Sequence, residues 1–150
     1  MTNGKSLVQM VSREEWSARV LLLAVLIVNA AGLWPELSVS RVDLNDNVSH
    51  FAMVERIVQA VERGENPLDC WSPEWSFGFP MVRVYQTLPH GIAALAYFAL
   101  GKTVPLMTVF VWLRFLSVVL LPLSFFAAAR LLELGPKTAA AAFGFPGRRR

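Results

Sequence analysis

Long apolar runs constrain this chain more than any other feature of its sequence. Residues 20–34 are apolar apart from Asn29, and residues 18–37 supply the roughly 20 positions that a helix needs to cross a hydrocarbon core. Trp34 closes the run at the depth where indole rings prefer lipid headgroups. We therefore predict a first transmembrane helix over 18–37, after a cytoplasmic segment, 1–17. A cleaved signal peptide is the competing interpretation, because small residues near Ala30 offer a cut site.

Two later runs predict further spans. Residues 85–101 reach span length only if the polar residues before Leu88 are included, whereas 105–132 is long enough to cross with some tilt. A hydrophobic fraction of 55% and a charged fraction of 17% agree with a membrane protein. The predicted fold class is an all-α membrane protein with about three transmembrane helices, a large extracytoplasmic first loop and a tail, 133–150.

Basic residues near the span ends predict the orientation. With the N-terminus in the cytoplasm, the first loop is extracytoplasmic and Lys102 is cytoplasmic. Three spans would then place Arg130, Lys137 and the terminal arginines outside, which the positive-inside rule disfavours. Either the tail doubles back or the chain is the front part of a longer membrane protein. An apolar segment at 139–145 favours the second expectation.

The first loop, 38–84, contains an amphipathic segment. Residues 49–63 carry a helical period, with Ser49 as the expected N-cap and Gly64 as the stop. This helix is too short and too polar on one side to span, so we expect it to lie in the membrane interface or to pack on the protein. Its apolar side is predicted to comprise His50, Met53, Val54, Ile57, Val58 and Val61, and its polar side Glu55, Arg56, Gln59, Glu62 and Arg63.

The motifs of several soluble classes of protein are absent from the sequence. The single cysteine, Cys70, allows no internal disulfide, and no Cys/His spacing suggests a zinc site. The sequence has no Gly-rich phosphate loop and no G-x-S-x-G nucleophile turn. Basic residues are not interleaved with aromatic ones, so we expect no nucleic acid as a partner. The apolar runs instead predict a lipid bilayer as the partner.

Short polar acids stand at the start of the first loop. Asp43 and Asp46 follow the first span and precede the amphipathic helix, in the company of Asn45, Asn47 and His50. One carboxylate near a phosphate ester can act as a general base on an incoming hydroxyl. Two carboxylates with amide and imidazole groups nearby can instead hold a divalent cation. Asp43 and Asp46 are therefore predicted as catalytic residues or metal ligands, against the simpler interpretation of solvated loop acids.

Four further side chains are predicted to bind substrate. His50 either packs on the helix or borders a substrate groove, while the rings of Trp71 and Trp75 either anchor the loop to headgroups or stack on sugar. Arg114 is costly within a span, so we expect it to pair with a carboxylate or phosphate of further spans, or to snorkel. His90, at the start of a predicted span, is interpreted as interfacial.

The order of these features resembles that of a known family. The residues that carry the resemblance are Asp46-x-x-x-His50, Gly64-Glu65-Asn66-Pro67-Leu68-Asp69, Trp71-x-x-x-Trp75, Gly78-Phe79-Pro80 and Tyr85-x-x-x-Pro89. They resemble the N-terminal part of the GT-C membrane glycosyltransferases. More narrowly, they resemble bacterial membrane proteins with a 6-pyruvoyl-tetrahydropterin synthase-related domain. The resemblance covers about residues 15–135.

The resemblance implies transfer of a sugar from a polyprenyl-phosphate donor to an extracytoplasmic acceptor at a bacterial inner or plasma membrane. It implies that Asp43 or Asp46 is the base or contacts a divalent cation. It also implies that His50 and the aromatic loop, residues 71–80, border the groove for the donor or the acceptor. Family members have many more spans, so further transmembrane segments or subunits are expected partners. The alternative is a non-catalytic membrane scaffold or subunit whose exported loop binds a partner, or an inactive truncated remnant.

Overall fold

The structure, a computed structural model, describes residues 3–38, 46–73, 77–135 and 138, apart from the side chains of 3–12 and 81. Its elements are α1 (Asn3–Leu33), a 3₁₀ helix (Trp34–Ser38), α2 (Asp46–Glu62), α3 (Met81–Val84), α4 (Thr87–Ala99) and α5 (Leu106–Leu131). These residues form no strand beyond one isolated antiparallel bridge, between Ser72 and Phe79. The prediction of a helical fold is confirmed for this part of the chain.

Two stretches of helix are long and apolar enough to cross a membrane, Arg13–Ser38 and Leu106–Leu131. They correspond to the spans predicted at 18–37 and 105–132. None of the apolar window in Arg13–Ser38 is buried within the chain, so α1 differs from the core helix of a soluble domain. By length and composition, these two helices indicate association with a membrane.

The third predicted span, 85–101, corresponds to a shorter helix. α4 has 13 residues, a length of about 20 Å against a hydrocarbon core of about 30 Å. Its end is followed by Gly101 at a φ of 61°, a left-handed conformation that glycine favours at helix C-termini. Within the described ranges only the two stretches named above qualify as candidate spans. The count of three spans stays a prediction.

The chain divides into two compact units, of which the second, Glu36–Arg114, has a clear hydrophobic core. That core forms where α2 packs on α4, and small residues on α4 allow the two helices to approach closely. Its buried members are Val54, Ile57, Val58, Ala60, Cys70, Val82, Ala93 and Ala94. The amphipathic helix of the loop is therefore a central element of a folded unit.

Helix α2 starts at Asp46, earlier than predicted, so Ser49 lies inside the helix and is not its N-cap. Two of its side chains also lie on the side opposite to the predicted one, since Arg56 is buried and Val61 is exposed. The reason is that two elements cover α2: α4, and the loop that follows α2. The buried residues of α2 are Met53, Val54, Arg56, Ile57, Val58 and Ala60.

The first unit, Met1–Pro35 with Phe115–Arg150, contains α1 and most of α5. At one end Trp34 meets Phe115 edge to face, with ring centroids 6.3 Å apart. At the other end Glu15 of α1 lies 3.9 Å from Arg130 of α5. Because the end of α1 meets the start of this part of α5, and the start of α1 meets its end, the two helices are antiparallel.

Candidate functional site

The two histidines of the chain meet between α2 and α4. Nδ1 of His50 lies 2.9 Å from Nε2 of His90. The ring planes differ by 17° and the centroids are 5.1 Å apart. That separation equals the N···N distance plus the two ring radii, as in an in-line bond between coplanar rings. The histidines are therefore hydrogen-bonded edge to edge.

A backbone carbonyl fixes the tautomers of both rings. Nδ1 of His90 contacts the carbonyl of Gln86, which can only accept, so this nitrogen carries the proton. Nε2 of neutral His90 is then an acceptor, and Nδ1 of His50 must be the donor of the bond between them. The remaining nitrogen, Nε2 of His50, keeps its lone pair and has no hydrogen-bond partner in the described part of the chain.

The two rings differ in their exposure to solvent. Only 3% of His90 is accessible, whereas His50 is partly exposed. Burial lowers the pKa of His90; the bond to the Gln86 carbonyl opposes this shift, and the charge of His50 adds to it. His90 is therefore neutral at pH 7, which is the form that accepts the bond from His50. The ring of Tyr85 packs edge-on against His50, at a centroid distance of 5.4 Å.

This arrangement can take a proton from a hydroxyl group. An imidazole whose Nδ1–H is held by an acceptor presents Nε2 as the base, with its orientation and tautomer already set. His90 is that acceptor for His50, and it also stabilises the imidazolium that forms. Histidine is the side chain most often used in general acid–base catalysis. The pair is the strongest chemical feature of the second unit.

The predicted acids are only partly described. Asp46 begins α2 one turn before His50, so the two residues share a helix face. An acid at a helix N-terminus is also favoured by the helix dipole alone. Asp43 and Trp75 lie outside the described residues, and their roles stay predictions. Among the residues that are described, no group of three or more His, Cys, Asp or Glu side chains is placed to hold a metal ion.

Trp71 is held through its backbone. The buried guanidinium of Arg56 donates from Nε to the carbonyl of Trp71 at 2.6 Å, and from Nη2 to the carboxylate of Glu65. Its Nη1 is buried without a partner in the described ranges. The indole lies against Gly78, where a Cβ would come within 2.3 Å of Nε1, so only glycine fits. The ring of Trp71 stays half exposed and accessible to a ligand or to lipid.

The aromatic loop is closed at two further points. Arg83 donates to both carboxylate oxygens of Asp69 at 2.5 Å, and this contact lowers the pKa of Asp69 and raises that of Arg83. Ser72 and Phe79 exchange two backbone hydrogen bonds, of 2.9 and 3.0 Å. Between them Phe77 has a φ of 64° and a fully exposed ring. The described parts of the loop, 71–73 and 77–80, are thus held together and carry aromatic rings on their surface.

Arg114 is neutralised within its own unit. Its Nη2 lies 2.6 Å from Oε2 of Glu36, in the 3₁₀ helix that follows α1. The carboxylate therefore comes from this chain and not from further spans, while a role of Arg114 in binding substrate stays a prediction. A mostly apolar groove of about 290 Å³ lies nearby along α5. It is lined by Leu37, Ser38, Pro105, Met107, Thr108, Val111 and Trp112.

Sequence reasoning missed the part played by His90. Its position in the first turn of an apolar helix suggested an interfacial residue. A usable signal was that the chain has only two histidines, each near the start of a helix. The sequence alone does not show that α2 packs on α4, and this packing brings the two helix starts together.

Comparison with known proteins identifies no relative of this chain. No protein-family model, curated protein or solved structure matches it. The resemblance to GT-C glycosyltransferases therefore stays a prediction that rests on the sequence motifs. The geometry of the histidine pair is the basis on which function can be inferred.

Proposed function

We propose that this chain belongs to a GT-C-type membrane glycosyltransferase, whose N-terminal part it resembles, and that His50 accepts the proton of the acceptor hydroxyl. One observation carries the proposal. A hydrogen-bond chain starts at the Gln86 carbonyl, passes through His90 and leaves the Nε2 lone pair of His50 open. An imidazole with a fixed tautomer suits deprotonation of a hydroxyl near neutral pH.

In the proposed reaction the acceptor oxygen attacks the anomeric carbon of the donor sugar. The bond from that carbon to the phosphate oxygen breaks, and polyprenyl phosphate leaves with the electron pair. The hydroxyl proton moves to Nε2 of His50, a step that contributes about 10²–10⁴-fold in rate for a well-placed base. Asp46 lies one turn before His50 on the same helix. Asp43 and Asp46 are proposed as charge-balancing groups or as ligands of a divalent cation.

The proposed membrane arrangement has α1 and α5 as spans and residues 36–105 outside, at a bacterial plasma membrane. The antiparallel contacts of α1 with α5 support it, because two spans of opposite direction return the chain to the side on which it began. Arg13, Arg19 and Arg130 then all lie on the cytoplasmic side, as the positive-inside rule favours. The conflict that three spans create is thereby removed.

The proposed donor site combines the groove along α5 with Arg114. The groove is mostly apolar, as a polyprenyl chain requires, and Val111 in its wall precedes Arg114 by about one helical turn. Its volume of about 290 Å³ is at the lower end of the range for ligand sites. Further transmembrane segments or subunits are therefore proposed to complete it.

Sugar transfer by the intact protein in vesicles tests the chemistry. We expect His50→Gln to lower kcat by about 10²-fold or more with little change in the KM for the donor. His90→Phe keeps the base but removes its acceptor, so we expect a smaller loss and an altered pH–rate profile. Gln59→Ala, on the exposed side of the same helix, is the matched control. Full activity of His50→Gln would show that the base lies elsewhere, and unchanged transfer after both Asp43→Asn and Asp46→Asn would remove the acids from the mechanism.

Labelling from outside the cell with an impermeant maleimide tests the topology. In a Cys70→Ala background, Gln59→Cys reports the exported unit and Thr103→Cys reports the turn between α4 and α5. Two spans predict that both are labelled from outside. Three spans predict that only Gln59→Cys is labelled, because α4 would carry Thr103 to the cytoplasm.

A scaffold role is the second candidate, and one surface of α4 favours it. Leu88, Ile92 and Leu95 are exposed at helical spacing, as in a helix that packs against a partner. If the exported unit only binds a partner, Leu88→Ser with Leu95→Ser abolishes the association, whereas His50→Gln has no effect on any activity of the complex.

A further inference from the structure

We infer that Arg19 and Arg130 form a binding site for the phosphate of an anionic phospholipid at the cytoplasmic ends of α1 and α5. The inference uses the proposed membrane arrangement but is independent of the histidine chemistry. A cavity of about 100 Å³ lies between the two helices and is lined by Glu15, Arg19, Phe126 and Arg130. It holds two guanidinium groups and one carboxylate, so it carries a net positive charge.

The two guanidinium groups retain free donors. Glu15 is shared between them, at 3.7 Å from Arg19 and 3.9 Å from Arg130. Both distances exceed that of a charge-assisted hydrogen bond, about 2.7–2.9 Å. Arg130 has one further contact, from Nη1 to the carbonyl of Leu134 at 3.3 Å. A phosphate in the cavity would thus gain strong hydrogen bonds that Glu15 does not make.

The depth of the cavity along the helices selects a lipid as the source of that phosphate. Arg19 directly precedes the apolar run of α1, and Arg130 stands at the end of the apolar run of α5. Charged residues at this boundary lie among the headgroups, and the cytoplasmic leaflet is rich in anionic lipids. Phe126 supplies an apolar wall on the side of the acyl chains. Arginine pairs with phosphate in a two-bond geometry that lysine cannot reproduce.

The test measures how strongly the full chain retains phosphatidylglycerol in mixed vesicles or nanodiscs. We expect Arg19→Gln and Arg130→Gln each to weaken retention by about tenfold, the value of one charge-assisted hydrogen bond. Arg13→Gln removes the same charge from the same helix outside the cavity and should change retention little. Glu15→Gln removes the competing carboxylate, so it should strengthen retention. Because a change in net charge would also give opposite signs for Glu15→Gln and Arg19→Gln, it is the equal change in charge at Arg13 that separates the cavity from general attraction.

Three outcomes would overturn the inference. If Arg13→Gln weakens retention as much as Arg19→Gln does, the effect is general attraction to an anionic surface. If Glu15→Gln leaves retention unchanged or weaker, phosphate does not replace the carboxylate. If inorganic phosphate displaces the lipid at equal concentration, the site binds a free anion and not a headgroup. Failure of the proposed topology would appear separately, because Thr103→Cys would then not be labelled from outside the cell.

Discussion

The apolar helices α4 and α1 bury their side chains in different ways. In the unit Glu36–Arg114, α2 covers one face of α4, including Ala93 and Ala94. In the other unit, no residue of the apolar window that starts in α1 is buried within the chain. A helix that is apolar all round requires burial in a protein core or in a membrane. The difference teaches that hydropathy identifies a need for burial, while the available partner decides whether protein or membrane meets it.

A charge placed in each helix tests this contrast most strongly. Ile27 of α1 and Leu95 of α4 are both exposed aliphatic residues in apolar helices. We expect Ile27→Arg to cost about 3 kcal/mol of membrane insertion, as for a charge at the centre of a span. Leu95→Arg should change stability by no more than about 0.5 kcal/mol, as at an exposed surface site. The fraction of each variant protein that resists alkaline extraction from membranes measures both effects. An equal loss of resistant protein in the two variants would place α4 in the bilayer.

The stability of the unit Glu36–Arg114 is expected to depend on Arg56. Arg56→Ala leaves the carbonyl of Trp71 without its donor and opens a cavity beside Cys70, so we expect a loss of about 2–3 kcal/mol. Cys70 is the only cysteine and is buried, so the rate at which it reacts with a thiol reagent reports opening of the unit. Arg63→Ala, at the exposed position directly after the same helix, should leave that rate unchanged. Equal rates in the two variants would refute the role of Arg56.

The histidine pair gives the unit Glu36–Arg114 a pH-dependent stability. Because burial holds the pKa of His90 below the value of about 6.5 for an unfolded histidine, protons bind preferentially to the unfolded chain. Stability is therefore full above that pH and falls as the pH drops, by at most about 1.4 kcal/mol per pH unit. Asp69, whose pKa is lowered by Arg83, adds a loss only at more acidic pH. Thermal unfolding between pH 7 and 5 should show the decline, and His90→Phe should flatten it.

The smallest expected effect concerns the aromatic loop. Phe77 has a positive φ that costs a bulky residue about 1–3 kcal/mol, and its ring is fully exposed. Glycine removes that strain but adds freedom to the unfolded chain, so we expect Phe77→Gly to stabilise the unit by about 0.5–1 kcal/mol. Phe79→Gly should instead destabilise it, since Phe79 pairs with Ser72 and has a partly covered ring. A lower melting temperature for both variants would mean that the ring of Phe77 makes stabilising contacts.

Local patterns predicted the helices of this chain well because they are local signals. The period of residues 49–63 located α2 to within a few residues, and Gly101 correctly marked the end of the apolar run that became α4. The apolar sequence of 20–34 predicted a helix, and the structure buries none of the residues of its apolar window. These features depend on backbone geometry and side-chain polarity within one segment.

Features that depend on contact between segments could not be predicted. A helical period placed Arg56 on the solvent side, because nothing in the sequence shows that Trp71 and Glu65 would fold back to accept its hydrogen bonds. The run 85–101 contains a 13-residue helix that α2 covers, and that cover is tertiary packing which the sequence does not show. The same packing brings His90 to His50, and Glu36 reaches Arg114 from a distant part of the sequence.

The distance along the chain between the two histidines has a consequence for the order of synthesis. α2 emerges from the ribosome well before α4, so His50 is without its partner until α4 has been made. A lone imidazole exchanges its proton freely between its two nitrogens, and neither nitrogen is committed as the base. Only when α4 docks does the Gln86 carbonyl, through His90, fix the proton on one nitrogen of His50. The tautomer of His50 is thus set only at the moment when the two helices pack together.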